Sequence, residues 1–377
     1  MRRGTIAIVV LAIAVLGLAG CGGGSSRTRE ARLVGTVVDS TGAPVEGVTV
    51  QLASNPSVTA TTSSGGAYEL RNIPEDGREF TVVYTKPGYT RTLAVARAQD
   101  RYTTLKVVLL PEQVRLALDG TKDEEVTVGG GKVKIQANSI LDSAGNPIPN
   151  PQVAATVATP SDSRFLDAVP GLFSGVLSGM EVPVTAYGLL HVSVTDPAGN
   201  PAKLDPNKPA TVEIPVTAGF DPGVPQILVW SLDEATGRWT AEAVANRDET
   251  TSPKVYRAEL KHFSWWALQA YPQTFRRVVV NVVADPDVKP PVPVPGVMVR
   301  IRPAQTSAGP WEGRGVTDSS GSVTFYAPFD SSVTLNVVEA VKERHQAIRE
   351  LSRGSQNGSD VITFWVRPLD TGLPGGP

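Results

Sequence analysis

The chain has 377 residues, 19% of them charged, with 35 basic and 37 acidic side chains for a net charge of −2, and it carries a single cysteine. That length holds two or three domains with their own cores. Nothing in the near-neutral balance suggests a nucleic-acid partner, which normally needs a basic stripe, and one cysteine excludes an internal disulfide. Abundant glycine and proline, 36 and 31 copies, set among Val- and Thr-rich runs favour strands and turns over helices.

The chain opens with Met1, Arg2 and Arg3, followed by an apolar run from Ile6 to Ala19. As a helix this run would span about 21 Å, against a hydrocarbon core of about 30 Å, so it reads as a secretory signal and not as a permanent membrane span. Leu18-Ala19-Gly20-Cys21 closes it and resembles the lipobox of bacterial lipoproteins. The resemblance implies lipid on the Cys21 thiol, cleavage before Cys21 and acylation of the new amino terminus. Two or more acyl chains, at about 0.8 kcal/mol per buried methylene, hold a protein firmly on a bilayer. Residues 1–20 are thus expected to be a signal peptide and 21–31 a Gly/Ser-rich tether. The membrane is then a partner through Cys21, and the protein is placed on the extracytoplasmic side of the cell envelope.

From 32 to 111, short β-type runs alternate with turn signals: Leu33 to Val38, Val48 to Ala53, Val58 to Thr61, Ala67 to Leu70, Phe80 to Lys86 and Thr103 to Leu110. The spacing predicts an antiparallel sandwich of about seven strands. Val34-Gly35-Thr36-Val37-Val38-Asp39, Gly42, Pro44, Gly47-Val48-Thr49-Val50, the run Thr62 to Leu70, Ile73-Pro74 and Lys86-Pro87-Gly88-Tyr89 resemble the carboxypeptidase regulatory-like domain. The resemblance implies a transthyretin-like β-sandwich grouped with carbohydrate-binding-like folds. In peptidases this module accompanies a separate zinc domain. A His with Glu three residues on would supply that metal's ligands. The three histidines here are followed at that spacing by Val194, Trp265 and Ile348, so the catalytic partner is not legible.

Residues 112–273 are expected to form a second β-rich domain. Gly129-Gly130-Gly131-Lys132 lacks the earlier Gly and the following Ser or Thr of a phosphate loop and reads as a hairpin turn. Asp142 to Pro147 and Asp196 to Pro201 repeat the Asp-x-x-Gly-x-Pro turn chemistry of Asp39 to Pro44. Each offers one carboxylate, too few for calcium. Two strands flank the loop Asp233 to Gly237 and place Trp230 and Trp239 across from or beside one another, and Trp265 and Trp266 follow. With His262-Phe263-Ser264-Trp265, this stretch resembles a β-rich segment that follows regulatory-like modules in some extracellular surface proteins. Trp230, Trp239, Trp265 and Trp266 are candidates for a ligand-stacking platform, weighed against simple core packing. His191 and His262 each stand alone in a strand, and no Gly-x-Ser-x-Gly elbow is present.

From 274 to 368 the opening pattern returns: Gly296-Val297-Met298-Val299 echoes Gly47 to Val50, and Thr317 to Phe325 lies over Thr62 to Leu70. A second, divergent regulatory-like sandwich is expected. Val338 to Leu351 reads either as a helix or as a charged strand pair around a turn, and 369–377 as a loose tail.

The fold class that follows is all-β, with serial β-sandwich modules of transthyretin-like or immunoglobulin-like kind after a lipoprotein signal. No catalytic residue, metal site or cofactor is assigned. The expected role is non-catalytic binding, foremost of a carbohydrate or cell-wall glycan. The alternatives are a scaffold or adhesin contacting another envelope protein, and an accessory subunit of a hydrolase.

Overall fold

The computed structural model describes residues 30–99, 102–272, 274–284, 289–305, 308–329, 332–342, 345–347 and 360–365. Strand pairing falls into three groups, here called modules one to three. Module one contains β1 (Glu30–Asp39), β2 (Thr49–Leu52), β3 (Asn55–Thr61), β4 (Ala67–Pro74), β5 (Glu79–Thr85), β6 (Thr92–Arg97) and β7 (Tyr102–Leu109). Its two sheets, β4-β1-β7 and β3-β2-β5-β6, form the predicted seven-stranded sandwich, except that it is not antiparallel throughout: the first and last strands, β1 and β7, pair in parallel. Period-two alternation turns Ala31, Leu33 and Val37 of β1 inward, and the two sheets enclose Leu33, Val50, Leu70, Tyr84 and Leu109. Strand β6 lies outside the predicted runs, because its alternate alanines weaken the β signal.

Module two begins with β8 (Val114–Ala117), β9 (Glu124–Val128), β10 (Gly131–Ile135), β11 (Ile140–Leu141) and β12 (Gln152–Ala158). A four-residue helix, α1 (Phe165–Ala168), precedes β13 (Ser174–Leu177), β14 (Met180–Pro183), β15 (Thr185–Thr195), β16 (Lys203–Leu204) and β17 (Ala210–Pro215). It ends with β18 (Gln226–Asp233), β19 (Arg238–Asp248), β20 (Val255–Leu260) and β21 (Trp265–Ala270). Twelve of these strands share one sheet, along the path β8-β12-β15-β21-β18-β19-β20-β17-β10-β9 with β13 and β14 attached. The sheet folds over on itself, so that Val133, Val212 and Ile214 from one end share a core with Val153, Val192 and Leu268 from the other. The glycine run is a two-residue hairpin turn: Val128 pairs with Gly131, and Gly129 and Gly130 take positive φ of 53° and 79°.

Module three contains β22 (Arg276–Val283), β23 (Met298–Pro303), β24 (Gly313–Val316), β25 (Ser322–Ala327), β26 (Leu335–Lys342), β27 (His345–Ala347) and β28 (Asp360–Trp365). Its sheets, β25-β22-β28 and β24-β23-β26-β27, repeat the order and direction of module one strand for strand. The repetition extends to single hydrogen bonds. Thr62 Oγ1 donates to Val45 O at 2.7 Å and accepts from Val48 N at 2.9 Å, while Thr317 Oγ1 donates to Val294 O at 2.8 Å and accepts from Val297 N at 3.0 Å. Val37 N reaches Gly66 O, and Val282 N reaches Gly321 O, each at 2.8 Å. Around Val338 the strand-pair alternative holds, with Lys342 opposite His345; residues 343, 344 and 348–351 of that stretch lie outside the described residues.

The modules are serial along the chain but not in space. One apolar cluster joins Leu93 and Val108 of module one, Phe165, Trp230 and Trp265 of module two, and Val299 and Trp311 of module three. Hydrogen bonds cross the same boundary: Thr81 Oγ1 to Ala235 O at 2.8 Å, Trp265 Nε1 to Arg91 O at 2.6 Å and Ala186 N to Pro310 O at 3.0 Å. Among the described residues no helix is long and apolar enough to cross a membrane.

Candidate functional site

Cys21 lies outside the described residues. The four candidate tryptophans lie inside the protein: Trp230, Trp239, Trp265 and Trp266 are 0%, 0%, 2% and 1% exposed. A ring needs an open face to stack on a sugar, so the platform reading is corrected to core packing. Trp230 and Trp239 are diagonal neighbours on one face of the β18–β19 hairpin, where Leu232 pairs with Trp239 and Trp230 with Ala241. Their indole N–H groups donate to Gln269 O at 3.1 Å and Leu172 O at 3.0 Å. On β21, alternation sends Trp265 into the inter-module cluster and Trp266 into the core of module two. Both faces of that strand are therefore covered, which its unbroken apolar run Trp-Trp-Ala-Leu reflects.

His191 is buried against Trp265, ring centroids 4.8 Å apart. Burial, reinforced by the Arg91 charge, pushes its pKa down to about 3, so it is neutral near pH 7. His262 stands beside Trp266 and pairs with Glu242 Oε2 at 3.0 Å. The three repeated Asp turns are closed alike: one carboxylate oxygen accepts two backbone N–H groups at 2.8–3.0 Å around Asp39, Asp142 and Asp196. Those carboxylates serve their own turns, and among the described residues no three His, Cys, Asp or Glu side chains gather as a metal site.

The polar centre of the molecule is a group that sequence reasoning did not single out. Glu312, with no exposed surface, accepts from Arg300 Nε at 2.9 Å, Arg300 Nη2 at 2.8 Å, Arg302 Nε at 2.5 Å and, closely, Arg314 Nε. Arg300 also reaches Glu339 at 2.8 Å and Asp167 of α1. Arg314 extends into module two, donating to Val169 O at 2.7 Å and to Leu166 O, with the Phe173 ring 5.3 Å away. Burial alone would raise the Glu312 pKa, but Arg314, Arg300 and Arg302 outweigh it and hold it at about 2. Three cations facing Asp167, Glu312 and Glu339 balance in charge, so the group can weld modules two and three without leaving a buried charge uncompensated. Its sequence trace is an arginine at alternate positions of β23, ordinarily the mark of a solvated strand face.

A second feature lies on the outer face of sheet β25-β22-β28. Phe275 and Tyr326 meet edge to face, centroids 5.6 Å apart, yet remain 46% and 50% exposed. Val361 on β28 is 45% exposed, and Arg277 and Thr324 neighbour the pair on the same face. Module one provides the comparison. Arg32 stands where Arg277 does, five residues before the equivalent valine, but there it pairs with Glu69 at 2.9 Å, which also binds Arg71 at 2.8 Å. One copy of the face is laced with charge, and the other presents aromatic surface.

These features define an all-β protein of three interlocked sandwich modules, two of them built to one plan. Residues 32–110 match the carboxypeptidase regulatory-like domain. No curated protein matches the chain. Among solved structures, the Bacillus anthracis TIE protein is 13% identical over 90% of this chain and 51% of its own, with a TM-score of 0.20. The chain thus spans about half the length of that protein. The major pilin SpaD of Corynebacterium diphtheriae is 9% identical over 90% of this chain and 98% of its own, with a TM-score of 0.19. A DUF3823 family protein from Parabacteroides merdae is 9% identical over 62% of this chain and 98% of its own, also at 0.19. At such TM-scores these likenesses bear on neither the fold in detail nor the function.

Proposed function

We propose that the chain is a lipid-anchored protein of the cell envelope that works by contact, binding a carbohydrate such as a cell-wall glycan on the outer face of sheet β25-β22-β28. The exposed Phe275–Tyr326 pair carries this reading. Aromatic rings with open surface offer apolar faces for sugar C–H groups, and neighbouring Arg277 and Thr324 offer hydrogen bonds to hydroxyls. The lipobox-like stretch supports anchoring through Cys21; because β1 already begins at Glu30 and buries Ala31, the expected tether of 21–31 shortens to 21–29, which reaches at most about 32 Å from the lipid.

Calorimetric titration of the Cys21→Ser chain with soluble cell-wall fragments tests the binding. Saturable binding that is lost in Tyr326→Ala and Phe275→Ala but kept in Trp239→Phe supports the reading. Binding indifferent to both aromatic substitutions, or absent altogether, rejects it. Fatty-acid labelling tests the anchor: label should enter the native chain and not Cys21→Ser.

A further inference from the structure

The short turn leading into α1 sets Arg164 between two cavities. One, of about 300 Å³, lies between that turn and module three and is lined by Pro160, Phe220, Arg302 and Pro303. The other, of about 220 Å³, opens toward Ser40 of module one. Arg164 and Asp162 line both.

Arg164 differs from the other arginines at the junction. Arg300, Arg302 and Arg314 spend their donors on Glu312, Asp167, Glu339 and backbone carbonyls. The carboxylate paired with Arg164, that of Asp167, lies 3.9 Å away and is already taken by Arg300 and Arg302. Among the described residues the Arg164 guanidinium makes no hydrogen bond, although its side chain is only 31% exposed. Its Nη2 lies beside Gly42 of module one, where a Cβ would stand 2.4 Å away.

A half-buried guanidinium with unspent donors suits a carboxylate, whose two oxygens match its fork. The phenyl and prolyl walls call for an apolar body, and the volume sits at the small end of ligand sites. Asp162, which accepts Thr159 N at 2.7 Å, keeps a negative charge on the wall and disfavours multiply charged anions. We infer that this cavity binds a small monocarboxylate, its carboxylate on Arg164 and its apolar body against Phe220, Pro160 and Pro303.

The test titrates the full chain with benzoate, its neutral isostere benzamide, and inorganic phosphate, by calorimetry. Benzoate should bind saturably, benzamide and phosphate at least about tenfold more weakly, and Arg164→Gln should weaken benzoate by at least about tenfold. Phe220→Ala, on the opposite wall, should weaken benzoate and benzamide alike, and it carries the test should Arg164→Gln fail to fold. Benzoate binding unchanged by either substitution, equal binding of benzamide, or no saturable benzoate binding overturns the inference.

Discussion

Arg300 and Glu312 form a two-point ion pair, Nε to Oε1 at 2.9 Å and Nη2 to Oε2 at 2.8 Å, with the carboxylate wholly withdrawn from solvent. The pair sits on module three but is closed from outside by Asp167 and the carbonyls of Leu166 and Val169 in module two. Its integrity and the docking of module three therefore depend on each other.

Glu312→Gln should be strongly destabilising. It keeps the shape but removes the charge shared by three arginines, and breaking a buried pair on one side costs about 3–5 kcal/mol. Urea unfolding of the variant measures this, and a loss below about 1 kcal/mol would show that the network contributes little to docking.

Acid should weaken the fold in two stages. His191 has its folded pKa near 3 against 6.5 unfolded, so below pH 6.5 the unfolded chain takes the proton first and stability falls, by at most about 1.4 kcal/mol per pH unit. Glu312 is held at about 2 against 4.5, so its contribution is complete above pH 4.5 and is lost as pH falls toward 2. Unfolding free energies from pH 7 to 3 should show the upper slope flattened in His191→Leu and the lower slope flattened in Glu312→Gln. Unchanged slopes in both variants would contradict the assignment.

Gly175→Ala should strain the apolar cluster that joins the three modules. A Cβ at this position would lie 2.4 Å from Trp230 Cζ3, and Trp230 is fully buried. Overpacking of this kind costs about 1–3 kcal/mol. A fall in Tm with an altered near-UV tryptophan signal is the expected result, whereas a Tm equal to the parent's would mean the indole has room.

Thr62→Val and Thr317→Val should cost nearly the same. Each removes one buried hydroxyl that bridges the same pair of backbone groups in its own module, leaving an acceptor and a donor unmet at about 1–3 kcal/mol. Being in separate modules, the two losses should add in the double variant. Chemical denaturation of the three variants checks this, and a large inequality would separate the two modules energetically despite their shared plan.

Much of the architecture was legible in the chain. Alternating Val and Thr runs marked six of the seven strands of module one, the echo of Gly47 to Leu70 in Gly296 to Phe325 anticipated the repeated topology, and Asp-x-x-Gly-x-Pro marked turns that close alike at Asp39, Asp142 and Asp196. Those signals are local, since each rests on the side-chain period of a strand or on a bond between residues a few positions apart.

The candidate sites were not legible in the same way. Arginines at 300 and 302 read as a solvated face until α1, over 130 positions earlier in the chain, covers them, and Trp265 reads as available until modules one and three close over it. The sequence by itself determined the strands, the turns and the repeat, together with the lipobox-like stretch at Cys21. Only the tertiary structure decided which strand faces meet water, burying four tryptophans and leaving Phe275 and Tyr326 open, because exposure depends on what packs against a face from distant parts of the chain.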